Sequence, residues 1–167
     1  IKGLFFSGSS IVYQNGKNVG WYASSSLSGW VRNSSSFPGF FFGLNNNDNG
    51  MPYDPSTGKA LAVDLSVIKI IQYDSSSSSW VQSGSYSLNL NDGHDGDVRA
   101  LSYVDDVIYV GRPGDKTAYA GQPNPNGVVT VHFVEAGGSL TLESPVKDFA
   151  DGFGQSLAVS GNLLAVG

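Results

Sequence analysis

The sequence contains no cysteine, one methionine and two histidines in 167 residues. The first absence excludes disulfides, thiol catalysis and cysteine-based zinc sites. The two histidines, His94 and His132, offer little for a histidine metal site. No Ser/His/Asp spacing, glycine-rich phosphate loop or paired-histidine motif accompanies them, so the chain is not expected to be an enzyme. Charge is scarce as well. Asp, Glu, Lys and Arg make up 14% of the chain, against about 25% in ordinary soluble domains. Nine Lys and Arg and a net charge of −5 lack the basic cluster that a phosphate backbone needs, so nucleic acid is not an expected partner. No apolar run approaches the roughly 20 residues of a membrane span, and the opening Ile-Lys-Gly-Leu-Phe-Phe lacks the shape of a signal peptide. The absence of Met at position 1 suggests a processed product or part of a longer polypeptide.

Amphipathic helical periodicity is also missing. In its place stand short runs of Val, Ile, Tyr, Phe and Trp, bounded by Gly, Asn, Asp, Ser or Pro, with 22 glycines in all. Such punctuation is that of an all-β chain. The last stretch, DGFGQSLAVSGNLLAVG, illustrates it. Leu157–Val159 and Leu163–Val166 read as two strands, and Gly161 stands at the first central position of a two-residue type II′ turn.

The sequence repeats itself. Residues 96–115 align with the C-terminal stretch at a constant offset of 56, with Leu101 over Leu157, Tyr103 over Val159, Val107 over Leu163, Val110 over Val166 and Gly111 over Gly167. A second element, SVIKIIQYDSSSSSWVQSGS, resembles GVVTVHFVEAGGSLTLESPV: a strand, Asp74 or Glu135, a small-residue turn, then a strand led by Trp80 or Leu140. VGWYASSSLSGWVRNSS is a third copy, led by Trp30, and the anchors Trp30, Trp80 and Leu140 are 50 and 60 residues apart. A period of this size implies repeat architecture, in which one small sheet cannot bury its own face alone. Four-stranded units are the expected form. We expect a β-propeller-like array of about three blades, at 1–50, 51–110 and 111–167.

The order of parts resembles the FG-GAP repeat of integrin-α-type β-propellers: FG-x-S, hairpin, VG, a Gly/Pro/Asn-rich loop, then a VxVF-like strand. The match is best from Gly96 through Gly167, where Phe153-Gly154 carries the FG and Val110-Gly111-Arg112-Pro113 the GAP part. In the first unit Phe40-Phe41-Phe42-Gly43 takes the place of the VG strand. The resemblance implies a calcium loop as one thing to look for. Leu44–Asp54 places Asn45, Asn47 and Asn49 alternately before Gly50. Only Asp48 and Asp54 are acidic, however, and Tyr53 holds the closing position where hard cations want a carboxylate. The segment is expected to be an Asn/Gly turn, with no cofactor. Asn91–Arg99 gathers Asp92, Asp95 and Asp97 about His94 and is expected to be a solvated turn. Alternation places His132 on a sheet surface.

Asn33-Ser34-Ser35 is an N-glycosylation sequon, placed in a strand-end loop. Ser75, Ser76, Ser77, Ser78 and Ser79 form a five-serine turn, which reads equally as a loose hairpin loop or as an O-glycosylated one. Trp21, Trp30 and Trp80 could stack on sugars, although Leu140 in the third copy keeps packing and loses a platform, favouring a core role. The expected function is a non-enzymatic, extracellular structural or adhesive propeller module. Its alternative is a glycan-binding lectin. Written end to end, the C-terminal hairpin and the N-terminal segment continue the repeat, with Leu140 and the next Trp30 57 residues apart. A segment equivalent to Ile1 onward is therefore expected to complete the last unit, within a longer chain or from a neighbouring copy joined head to tail.

Overall fold

The computed structural model of the chain describes residues 3–7, 10–15, 18–25, 29–36, 52–64, 67–87, 98–113, 127–146 and 152–167. Every regular element among them is a strand, and among the described residues no helix is long and apolar enough to cross a membrane. The described part of the chain is all-β. Strands β1 (Gly3–Ser7), β2 (Ser10–Asn15), β3 (Asn18–Ser25) and β4 (Gly29–Ser36) form one four-stranded sheet in chain order. A second is made by β5 (Tyr53–Asp54), β6 (Lys59–Asp64), β7 (Val67–Asp74) and β8 (Ser79–Ser87). The third contains β9 (Ala100–Val104), β10 (Val107–Arg112), β11 (Val128–Phe133) and β12 (Ser139–Glu143), and the chain closes with the hairpin β13 (Leu157–Ser160) and β14 (Leu163–Val166). All pairings are antiparallel between chain neighbours. Contacts divide the chain into two compact units, the first holding β1–β8 and the second β9–β14.

In the first unit the core of the second sheet is Ala60 and Leu61 on β6, Ile68, Ile70 and Ile71 on β7, and Trp80 on β8. Adjacent residues are buried on both inner strands, Ala60 and Leu61 on β6 and their partners Ile71 and Ile70 on β7, so the sheet is buried on both faces at this point. Ser83 is an extra residue in β8, between the pairs Ile70↔Gly84 and Ile71↔Gln82. Each fully buried isoleucine contributes about 1.5–3 kcal/mol by removal from water.

The second unit reproduces the sequence repeat at the level of register. Val107↔Val104, Ile108↔Tyr103, Tyr109↔Ser102 and Val110↔Leu101 become, on adding 56, Leu163↔Ser160, Leu164↔Val159, Ala165↔Ala158 and Val166↔Leu157. Both hairpins have two-residue loops, but of different type. Asp105 and Asp106 have φ of 51° and 59°, the type I′ pattern, whereas in the second loop φ is positive at Gly161 and not at Asn162, as type II′ requires.

The division expected at 50 falls between β4 of the first sheet and β5 of the second, whereas residue 110 lies inside β10 of the third sheet. Completion of the last unit by the N-terminal segment also meets a constraint. In the expected alignment β3 corresponds to β11, yet β3 is hydrogen-bonded on both edges, by β2 and β4. To take the third place beside β14 it would have to leave β2.

Candidate functional site

The contact that holds the final hairpin to the third sheet is made by backbone. The turn at Phe153-Gly154 lies so close to the ends of β10 and β11 that a β-carbon on Gly111 would sit 2.2 Å from the Gly154 carbonyl oxygen. One on Gly127 would sit 1.8 Å from the Phe153 carbonyl oxygen. Gly154 itself has φ of 91°, with the Val128 carbonyl oxygen 2.8 Å from where its β-carbon would be. Only glycine allows backbone to approach backbone this closely. The hairpin then closes through two hydrogen bonds between Ser156 and Gly167, at 3.0 and 3.2 Å.

This contact fixes which faces meet. Gly111 shares its side of the third sheet with Tyr109 and Val107 on β10, and with their register partners Val129, Val131 and Phe133 on β11. Leu140 and Leu142 on β12 lie on the same side, opposite Val131 and Val129. The hairpin turns Leu157, Val159, Leu164 and Val166 inward, where they are half-buried, and β13 packs against β9. On this side Phe133 is 40% and Leu140 51% exposed. The outer edge of β14 has no partner among the described residues. Leu163, Leu164, Ala165 and Val166 carry no charge, and Leu163 projects to the opposite, solvent side.

Two turns in the first unit share one design. Asp54 accepts hydrogen bonds from Ser56 N at 2.8 Å, Ser56 Oγ at 2.7 Å and Thr57 Oγ1 at 2.9 Å. Twenty residues on, Asp74 accepts from Ser76 N at 3.0 Å, Ser76 Oγ at 2.8 Å, Ser77 N at 3.3 Å and Ser77 Oγ at 2.7 Å. The hydroxyls of Ser77 and then Ser76 favour the charged carboxylate and lower the Asp74 pKa to about 2. The fourth loop residue is left-handed in both turns, Gly58 at φ 69° and Ser78 at φ 52°. The pattern Asp-x-Ser-Ser/Thr at 54 and 74 was the available sequence signal for these Asx-type turns.

The expected site residues fall as follows. Ser75–Ser78 form an exposed turn and Ser79 opens β8, so the serine loop is ordered by Asp74 rather than loose. Asn33 lies within β4, paired with Trp21, and not in a strand-end loop. Trp80 is 2% exposed and packs edge-on to Tyr73, with ring centroids 6.1 Å apart, so it is core and offers no sugar platform. Leu140 does not keep the packing role expected of it, because β12 is an edge strand with no described element over its outer end. His132 is a further correction. It is 6% exposed, on the side of β11 that it shares with buried Val128 and Thr130, opposite buried Ile108, Val110 and Arg112 of β10, while Phe133 on the other side is the exposed neighbour. On its face Arg112 is also buried, and the Thr130 hydroxyl is buried with no hydrogen-bond partner among the described residues. Asp54 is buried and serves its own turn. The rest of the proposed calcium loop, residues 44–51, and the acidic cluster at 92–97 with His94 lie outside the described residues. Among the described residues no three His, Cys, Asp or Glu side chains gather to hold a metal ion.

The chain matches no protein-family model and no curated protein sequence.

Proposed function

We propose that the chain is a non-enzymatic β-propeller-type repeat module that acts as an extracellular structural or adhesive subunit, joining neighbouring copies of itself head to tail. The observation that carries this reading is the second unit. There a hairpin with the register of β9–β10 is held by glycine contacts on the sheet before it, and it offers an uncharged outer edge. Natural sheets blunt such an edge with Lys, Pro or a bulge, and β14 has none of these. Contact through an edge at one end and a different surface at the other is heterologous, and it propagates when its rotation does not close.

Sedimentation velocity over a range of concentrations tests the reading. Species at multiples of 17.6 kDa that grow with concentration support it. A single 17.6 kDa species throughout counts against it.

A further inference from the structure

The turn between β5 and β6 contains the one Asp-Pro step of the sequence, Asp54-Pro55. Two chemical properties set such a bond apart. An aspartate side chain can reach its own main-chain carbonyl carbon by closing a five-membered ring, so the attack is intramolecular. The proline nitrogen belongs to a tertiary amide, which leaves more readily than the nitrogen of an ordinary peptide. The fold adds two features. The carbonyl oxygen of this bond, Asp54 O, accepts a hydrogen bond from Gly58 N at 2.9 Å, within the range of a donor that stabilises an oxyanion. Both oxygens of the attacking carboxylate are engaged, Oδ1 by Ser56 N and Ser56 Oγ and Oδ2 by Thr57 Oγ1. Asp54 is 1% exposed, whereas Pro55 is open to solvent.

We propose that Asp54–Pro55 is a self-cleavage site, primed by the Gly58 N–H and held latent by the hydroxyls of Ser56 and Thr57. A carboxyl oxygen of Asp54 bonds to the Asp54 carbonyl carbon, and the oxygen that the Gly58 N–H already holds carries the developing charge. The C–N bond then breaks. Its electron pair goes to the Pro55 nitrogen, which takes a proton from solvent, and Asp54 is left as a cyclic anhydride. One water opens the anhydride to two carboxyl groups, so the net change is hydrolysis of a single peptide bond with no oxidation or reduction. The hydroxyl donors oppose this by turning the carboxylate toward residues 56 and 57 and lowering its nucleophilicity. Asp74 is the internal comparison, since Ser76 and Ser77 capture its carboxylate in the same way but the next residue is Ser75. That secondary amide is expected to stay intact. Scission parts β5 from β6, which share two residue pairs. It is a single turnover on the chain itself, so the module remains non-enzymatic, and it is independent of the head-to-tail reading.

Intact-mass spectrometry of the full chain, held at about pH 4 where aspartate ordinarily titrates, follows the fragments 1–54 and 55–167. Three samples are compared: the folded unmodified chain, the folded double variant Ser56→Ala with Thr57→Val, and the unmodified chain unfolded in urea. The variant loses both hydroxyls and keeps the Gly58 donor. It should therefore cleave about tenfold or more faster than the folded unmodified chain, and about tenfold or more faster than the unfolded chain, which lacks the positioned donor. Pro55→Ala should abolish both fragments. Circular dichroism establishes that the double variant is folded. If it is not, Thr57→Val alone carries the same comparison, with a smaller acceleration because Ser56 still holds Oδ1. A variant rate equal to that of the folded unmodified chain overturns the proposal, because the hydroxyls then restrain nothing. A rate equal to that of the unfolded chain also overturns it, because the turn then adds nothing to the dipeptide.

Discussion

Gly111→Ala should loosen the final hairpin without any change in its own sequence. The new methyl group would be 2.2 Å from the Gly154 carbonyl oxygen and 3.0 Å from its carbonyl carbon, where ordinary contact begins near 3.4 Å. Both neighbours are backbone, so no rotamer relieves the overlap. Either the turn at Phe153-Gly154 withdraws by about 1 Å or β10 bends, in a region packed too closely to absorb it. Overpacking of this kind costs about 1–3 kcal/mol. The control is Gly84→Ala, whose methyl would meet Ile70 Cδ1 at 3.6 Å, an ordinary contact, and should change stability by less than about 0.5 kcal/mol. Urea unfolding gives the stability difference, and amide exchange over residues 152–167 shows where it acts. The reasoning fails if Gly111→Ala is as stable as Gly84→Ala and leaves exchange in the hairpin unchanged.

Ser78→Gly should stabilise the chain by about 0.5–1 kcal/mol in thermal or urea unfolding, because relief of the left-handed cost exceeds the entropy that glycine adds to the unfolded state. The reverse change at the equivalent position, Gly58→Ser, should destabilise. Asp74 is held below its ordinary range, near 2 against 3.8. Its contribution is therefore present above about pH 4 and lost as pH falls from there toward 2. Asp74→Asn should flatten that part of an acid-unfolding profile, and an unchanged profile would remove the turn from the account. Expression through a eukaryotic secretory pathway should add an N-glycan at Asn33 and O-glycans within Ser75–Ser79. Intact mass checks this, with 17.6 kDa as the value of the bare peptide.

Local signals were the legible part of the sequence. Leu157–Val166 announced a hairpin because two apolar runs flank a glycine at the position where a type II′ turn needs positive φ, and the offset of 56 transferred to the register because strand spacing and loop length were both conserved between the copies. What failed to show was burial from the third dimension. His132 alternates with apolar Val131 and Phe133, but the side of β11 that it occupies is the buried one, opposite Ile108, Val110 and Arg112, and Phe133 is exposed instead. Leu140 reads as core by its place after the turn, yet lies on an edge strand. Ile70 and Ile71 point to opposite faces of β7 and are both buried, as are their partners Leu61 and Ala60 on β6. Gly111 and Gly154 stand out in the sequence as parts of the repeat motif and Gly127 does not, but the close backbone approach that requires all three comes from contacts up to 43 residues apart in the chain. Asn33 follows the Trp30 anchor where a strand end is expected, whereas the β3–β4 ladder runs through it to Ser36.

Amide exchange at Leu164 and Val166 tests the central claim most directly, because these two N–H groups point to the edge where a neighbour would bind. Measured by NMR at about 10 µM and about 1 mM, both should slow at least tenfold at the higher concentration, as expected when an open edge is paired. The amide of Gly167, already bonded to Ser156 within the hairpin, should change little. Equal rates for Leu164 and Val166 at the two concentrations would contradict the account.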